Sequence, residues 1–184
     1  MFTDRLFMPD LYLDDIYCIS PEMLLEKGIK AVLLDIDNTL VTYDDPMPTE
    51  SVLNWLKALE GVGIKAAFIS NNHKDRVELF NSELKYFATW DSGKPFIKCH
   101  RRAMAELGTD TSNTAVIGDQ IFTDVWSGKR LGLYAILVKP IKDKTSLFNR
   151  SKRALEKPIL RRYAKIHSEG SKCSPFYAPF VRES

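Results

Sequence analysis

Ala31-Val32-Leu33-Leu34 is an apolar run that ends on two carboxylates, Asp35 and Asp37, one residue apart. So short a run with a polar C-terminal edge predicts a buried strand of a parallel sheet. Asn38 and Thr39 favour the turn that follows. Period two along a strand puts Asp35 and Asp37 on the same side. Ligands of open α/β sheets bind beyond the carboxyl ends of the strands. Two carboxylates this close repel, and one takes up a proton unless a cation lies between them. The pair points to a metal site, with a second task for whichever carboxylate stays free to react.

The rest of the chain repeats the pattern of apolar run, polar turn, helix. Ser20 as N-cap and Pro21 at the first helical position predict a helix over Pro21–Lys27, stopped by Gly28. Val52, Leu53, Leu56 and Leu59 recur at helical spacing in a helix over Glu50–Leu59. Lys65–Ile69 is a second strand, ending in Ser70-Asn71-Asn72, and a helix over Asp75–Leu84 follows. A short strand over Tyr86–Trp90 leads to Ser92-Gly93-Lys94-Pro95, then a helix to Leu107. Thr114–Ile117 is a strand ending in Gly118-Asp119, and a helix over Thr123–Arg130 precedes a last strand, Tyr134–Val138. This alternation predicts an α/β fold with a doubly wound, Rossmann-like parallel sheet. Right-handed crossovers bring the strand ends to one edge.

That edge collects groups suited to a phosphoryl centre. Asp119 adds a hard oxygen ligand opposite the first pair, which suits Mg²⁺. Asp124, five residues on, can bind the metal or orient its waters. Ser70 and the turn backbone can donate to phosphate oxygens, and Lys94 supplies a point positive charge. The order carries the inference: D-x-D-x-T, strand plus Ser, Lys-Pro, then G-D-x-x-x-x-D.

DIDNTL, FISNN, SGKP and GDQIFTD resemble the four motifs of the haloacid-dehalogenase (HAD) superfamily of phosphatases. The match is closer to the capless subfamily IIIA group of YqeG type, which is similar to phosphatidylglycerophosphate phosphatases. It spans roughly residues 8–165, including Gly118 to Ile141. The resemblance implies a Mg²⁺-dependent phosphomonoester hydrolase. Asp35 would be the nucleophile that forms an aspartyl-phosphate, and Asp37 the general acid and then base. The Asp35 carboxylate, the Asp37 backbone carbonyl, Asp119 and Asp124 would form the metal site. Ser70, Asn71 and Lys94 would bind the phosphate. The stretches from Thr39 to Ser70 and from Ser70 to Lys94 are too short for a cap domain. An open site suits a phosphate on something large, with a lipid such as phosphatidylglycerophosphate first. The alternatives are a nucleotide or nucleic-acid phosphatase, or an RNA- or ribosome-associated protein with a secondary site.

Three segments are expected: an N-terminal entry segment 1–29, a core 30–140 and an arm 141–184. From Lys139 to Lys165 ten Lys or Arg stand against Asp143 and Glu156, while the remainder carries a net −6. Leu147, Leu155, Ile159 and Tyr163, among Arg150, Lys152, Arg153, Lys157, Arg161 and Arg162, predict an amphipathic helix broken or restarted at Pro158. It either packs on the core or meets an anionic membrane or RNA. No apolar run approaches the ~20 residues of a membrane span, and MFTDRLFMPD has no signal-peptide pattern. Cys18, Cys99 and Cys173 are far apart and odd in number, and make neither a C-x-x-C metal pair nor a disulfide framework. These features predict a cytoplasmic protein, peripheral at most. His73, His100 and His167 have no metal-ligand company, and Trp55, Trp90 and Trp126 read as packing residues.

Overall fold

The computed structural model describes residues 6–142 and 147–167. The expectations for Cys173 and for the side chains of Leu147, Arg150, Lys152 and Arg153 lie outside the described residues. Six parallel strands form one sheet: β1 (Leu11–Leu13), β2 (Ala31–Leu34), β3 (Lys65–Ile69), β4 (Phe87–Thr89), β5 (Thr114–Gly118) and β6 (Tyr134–Val138). Their order is β1-β6-β5-β2-β3-β4. The central strand β2 pairs with β3 on one side and β5 on the other, Leu34 opposite Phe68 and Ile117. The three polar strand ends that follow therefore sit side by side. β1 has no apolar run that predicts it. It is a short edge strand that joins β6, and the Asp10 carboxylate starts it by accepting from the Ala135 N–H at 2.7 Å.

The pleat divides the core into two halves. Val32, Leu34, Phe68, Ala115 and Ile117 face one way, against α1 (Pro21–Glu26), α2 (Glu50–Gly61) and α3 (Lys74–Phe80). Leu33, Ala67, Val116, Ala135 and Leu137 face the other. There they meet α4 (Lys98–Leu107), a π-helical turn (Ile121–Val125) and α6 (Leu147–Ile166); α5 (Trp126–Leu131) continues the π turn. The doubly wound reading holds, and the caps follow the sequence. Ser20 Oγ accepts from Met23 N at 3.2 Å, and Thr49 Oγ1 from Val52 N. Only a loop, α2, β3, α3 and β4 lie between Asp35 and Lys94, with no folded insertion.

Four local expectations are corrected. α3 ends at Phe80 rather than Leu84, because Asn81 exchanges two hydrogen bonds with the Tyr86 backbone and turns the chain. The helix expected from Thr123 starts two residues earlier, as the π turn. α6 runs through Pro158 without a break. The carbonyl that Pro158 leaves without its N–H partner is that of Ala154; both residues are exposed, so water can serve it. Cys99 is a free thiol, but Cys18 is disulfide-bonded, so the expectation of no disulfide framework does not hold at Cys18.

α5 sits close on β5 because Gly128 faces the sheet. A Cβ there would collide with the Val116 side chain, which is buried and β-branched. Gly128→Ala should lower the urea midpoint. Overpacking costs about 1–3 kcal/mol, more than the ~1 kcal/mol that Ala gains over Gly in a helix. A variant more stable than the parent would contradict the close approach.

Candidate active site

The chain turns sharply where β2 ends. Asn38 takes a positive φ of 68°, a conformation Asn tolerates better than most residues. Its side chain clasps the Lys142 backbone, donating to the carbonyl at 2.8 Å and accepting from the N–H at 3.3 Å. This ties the β2 turn to the segment after β6. Thr39 Oγ1 turns back to donate to Asp35 Oδ2 at 3.2 Å.

Asp35, Asp119 and Asp124 each offer an oxygen, all within 4.8 Å of one another. Lys94 Nζ lies 2.6 Å from Asp35 Oδ1 and 2.7 Å from Asp124 Oδ1. Asp124 Oδ2 also accepts from Gln120 N and Thr123 Oγ1, which fixes the carboxylate over the strand end. Gly118 makes room for it, since a Cβ at that position would collide with the Asp124 carboxylate. Three carboxylates against one ammonium leave two negative charges in excess. All the donors are hard oxygens. The residues therefore fit a divalent cation of the Mg²⁺ kind.

Asp37 stands apart from that cluster. Its Oδ1 accepts from Arg76 Nε at 3.2 Å and Nη2 at 3.0 Å, and its Oδ2 from Asn72 Nδ2 at 2.9 Å. The Asp35 and Asp37 carboxylates each have their own cationic partner, Lys94 and Arg76. Ser70 is buried, and its Oγ accepts from Asn72 N at 3.0 Å. Asn71, although exposed, grips the loop of Lys94. Its Oδ1 accepts from Lys94 N and Ser92 Oγ, and its Nδ2 donates to the Lys94 carbonyl. His73 is exposed and pairs with Asp91.

Sequence reasoning missed Arg76, Asn72, Ser127 and the part played by His100. Arg76 was findable, because the first turn of a helix that follows a strand end faces that edge. His100 is buried, with Nε2 3.0 Å from Ser127 Oγ, which donates to the Asp124 carbonyl at 2.9 Å. The hydroxyl proton being committed, His100 must carry its proton on Nε2. Burial, with Lys94 nearby, pushes its pKa down to about 4, so the ring is neutral.

Burial also dominates at Asp35. Lys94 opposes it, but Asp124 and Asp37 add to it, and the carboxyl is pushed up from 3.8 to about 6. Burial alone would lower Lys94, yet Asp124 and Asp35 outweigh it and hold the ammonium above the usual lysine range. A carboxyl whose folded pKa is raised contributes stability below its unfolded pKa and loses it as pH rises through the folded one. In EDTA, the melting temperature of the parent relative to Asp35→Asn should therefore fall between pH 4 and pH 7. A difference that is flat or rises over that range would contradict this reading of Asp35.

Residues 92–154 match the HAD-hydrolase-like family model. The chain is 36% identical over 156 residues to the probable phosphatase YqeG of Bacillus subtilis (strain 168), covering 85% of this chain and 91% of the relative. It is 27% identical over 173 residues to phosphatidylglycerophosphate phosphatase 1, chloroplastic/mitochondrial, of Arabidopsis thaliana. That alignment covers 88% of this chain and 50% of the plant protein. Among solved structures, a HAD phosphatase from Thermococcus onnurineus superposes with a TM-score of 0.52 at 16% identity, over 65% of this chain and 90% of that one. An uncharacterized protein from Listeria monocytogenes serotype 4b gives 0.52 at 16%, over 64% and 85%. These two carry the fold, and the B. subtilis relative carries the family: the chain belongs to the YqeG-type phosphatases of the HAD superfamily.

Proposed function

We propose that the chain hydrolyses phosphomonoesters through an aspartyl-phosphate on Asp35. The carrying observation is the cluster of Asp35, Asp119 and Asp124 around the Lys94 ammonium. The Asp35 carboxylate attacks phosphorus, and the ester P–O bond breaks. Asp37, held by Arg76 and Asn72, protonates the departing oxygen. It then takes a proton from the water that attacks the phospho-aspartate, and phosphate leaves with Asp35 restored. Lys94, backed by Asn71, neutralises Asp35 and the incoming phosphoryl group. Ser70, at the β3 end, would bind the phosphate oxygens. Asp35, Asp119, Asp124 and the Asp37 carbonyl would hold Mg²⁺, which supplies positive charge to the transferring phosphoryl oxygens.

Asp35→Asn should abolish turnover of a generic aryl phosphate. The acceleration of phosphate-monoester hydrolysis reaches ~10²¹-fold, so no water-only route replaces the nucleophile. EDTA should silence the parent, and Mg²⁺ should restore it. Near-parent activity in Asp35→Asn, or full activity after chelation, would refute the mechanism.

For the substrate we infer a lipid-borne phosphate, of which phosphatidylglycerophosphate is the first candidate through the plant relative. Large apolar side chains stand exposed beyond the strand ends. Tyr43 follows β2, Trp90 follows β4, Ile141 follows β6, and Phe96, 70% exposed, lies two residues from Lys94. Aromatic side chains suit the boundary between water and lipid. No described helix is long and apolar enough to cross a membrane, so contact would be peripheral. α6 contributes only one face, with Lys157, Arg161 and Lys165 exposed, because its other face packs on the core. Phe96→Ser should raise KM for a vesicle-borne lipid phosphate by on the order of tenfold, given the ~1.5–3 kcal/mol of burying a Phe side chain. It should leave turnover of a soluble aryl phosphate unchanged. Equal effects on both, or preference for an oligonucleotide phosphate in the same panel, would reject the lipid reading.

A further inference from the structure

We propose that Glu156, on the C-terminal helix α6, is a positioning residue of the phosphatase site. Its carboxylate caps the π turn that carries Asp124. Glu156 Oε1 accepts from the Ile121 N–H at 2.8 Å. It is 2% exposed, while its neighbours Leu155 and Lys157 lie in solvent. A carboxylate is seldom drawn into a core unless it meets a group there that needs it. The group here is specific. The first N–H groups of a helix have no partner within it. Ile121 is fully buried, so water cannot serve its N–H. Gln120, the residue before the turn, makes no side-chain cap.

The turn so capped begins two residues after Asp119 and contains Asp124. Asp124 N donates to the Gln120 carbonyl at 3.0 Å and Val125 N to the same oxygen at 3.3 Å. Asp124 Oδ2 closes the loop by accepting from Gln120 N. π turns are uncommon in helices and depend on local support. Without the Glu156 acceptor, the Ile121 N–H would stand unsatisfied in an apolar setting. The turn would then relax, shifting Asp124 against Asp35, Asp119 and Lys94. The rest of α6 delivers Glu156 to its place. Ile159 and Leu160 pack on the core face that includes Ile121 and Val125. Tyr163 Oη, two turns further on, accepts from Tyr12 N at 3.0 Å and seats the helix on β1. The basic arm thus supplies an acidic residue that the phosphatase site needs.

The inference rests on the reading of Asp124 as part of a Mg²⁺ site, and the test separates the two. Metal-free parent, Glu156→Ala, Glu156→Gln and Tyr163→Phe are titrated with Mg²⁺, reading the rise in melting temperature and the turnover of an aryl phosphate. Glu156→Ala should need about tenfold or more Mg²⁺ for half effect, as expected when a ligand loses its support. Glu156→Gln keeps an acceptor oxygen and should stay within about threefold of the parent. Tyr163→Phe loosens the same helix at its far end. It should lower the metal-free melting temperature without changing the Mg²⁺ requirement. If Glu156→Ala fails to fold, Glu156→Asp, which withdraws the acceptor by one methylene, carries the same expectation. An unchanged Mg²⁺ requirement in Glu156→Ala or, failing that, Glu156→Asp, or an equal change in Tyr163→Phe, overturns the inference. A parent that shows no response to Mg²⁺ overturns the metal reading beneath it.

Discussion

The structure turns on one buried ammonium. Lys94 lies between Asp35 and Asp124, almost out of reach of water, at the point where β2, β5 and the loop after β4 converge. Removing a lysine from water is costly, and only charges in contact offset it. The two carboxylates need it for the same reason, since with Asp119 they would otherwise form an uncompensated cluster in a low dielectric. Neither side of this arrangement is stable alone. The loop is accordingly fixed by its backbone: Asn71 takes the Lys94 N–H and returns a donor to its carbonyl. One lysine against three carboxylates still leaves two negative charges in excess, an arrangement that suits a divalent cation.

The surrounding fold serves that convergence. Parallel pairing sets the ends of β2, β3 and β5 side by side, so residues far apart in sequence meet without a long loop. Two glycines let the helical layer come close, Gly118 under Asp124 and Gly128 against Val116. On the second face α6 supplies Glu156 to the turn beneath the site. The segments on either side of the core in sequence are thus packed into it: Asp10 starts the edge strand, and Tyr163 bonds to Tyr12.

Much of this was legible in the residues. The apolar runs mark the four interior strands with nearly their observed ends, because a strand buried on both faces leaves a contiguous apolar signature; the edge strand β4 is one residue shorter at each end than its run suggests. Asp35, Lys94, Asp119 and Asp124 could be grouped from strand ends alone, and they do meet. β1 escaped because an edge strand of three half-buried residues has no such signature. The π turn escaped because its register depends on a partner 35 residues away. In α6 the spacing placed Leu155 on the packed face, yet it is 65% exposed and Glu156 is buried. The two positions are adjacent and both align with Ile159. Hydrophobicity favours the leucine, but the unsatisfied Ile121 N–H decides for the glutamate, and no one-dimensional pattern records that demand. Asn72 lay unread because its role exists only once Asp37 points at it, whereas the place of Arg76 in the first turn of α3 already set it at the sheet edge.

The most direct test of the account is where a divalent ion settles. Crystals grown with Mn²⁺ in place of Mg²⁺ would locate the ion by anomalous scattering. The account expects a single strong peak among the carboxylates of Asp35, Asp119 and Asp124, with Lys94 beside it and the Asp37 carboxylate still on Arg76. A peak between the Asp35 and Asp37 carboxylates, or no peak at this edge at saturating Mn²⁺, would contradict it.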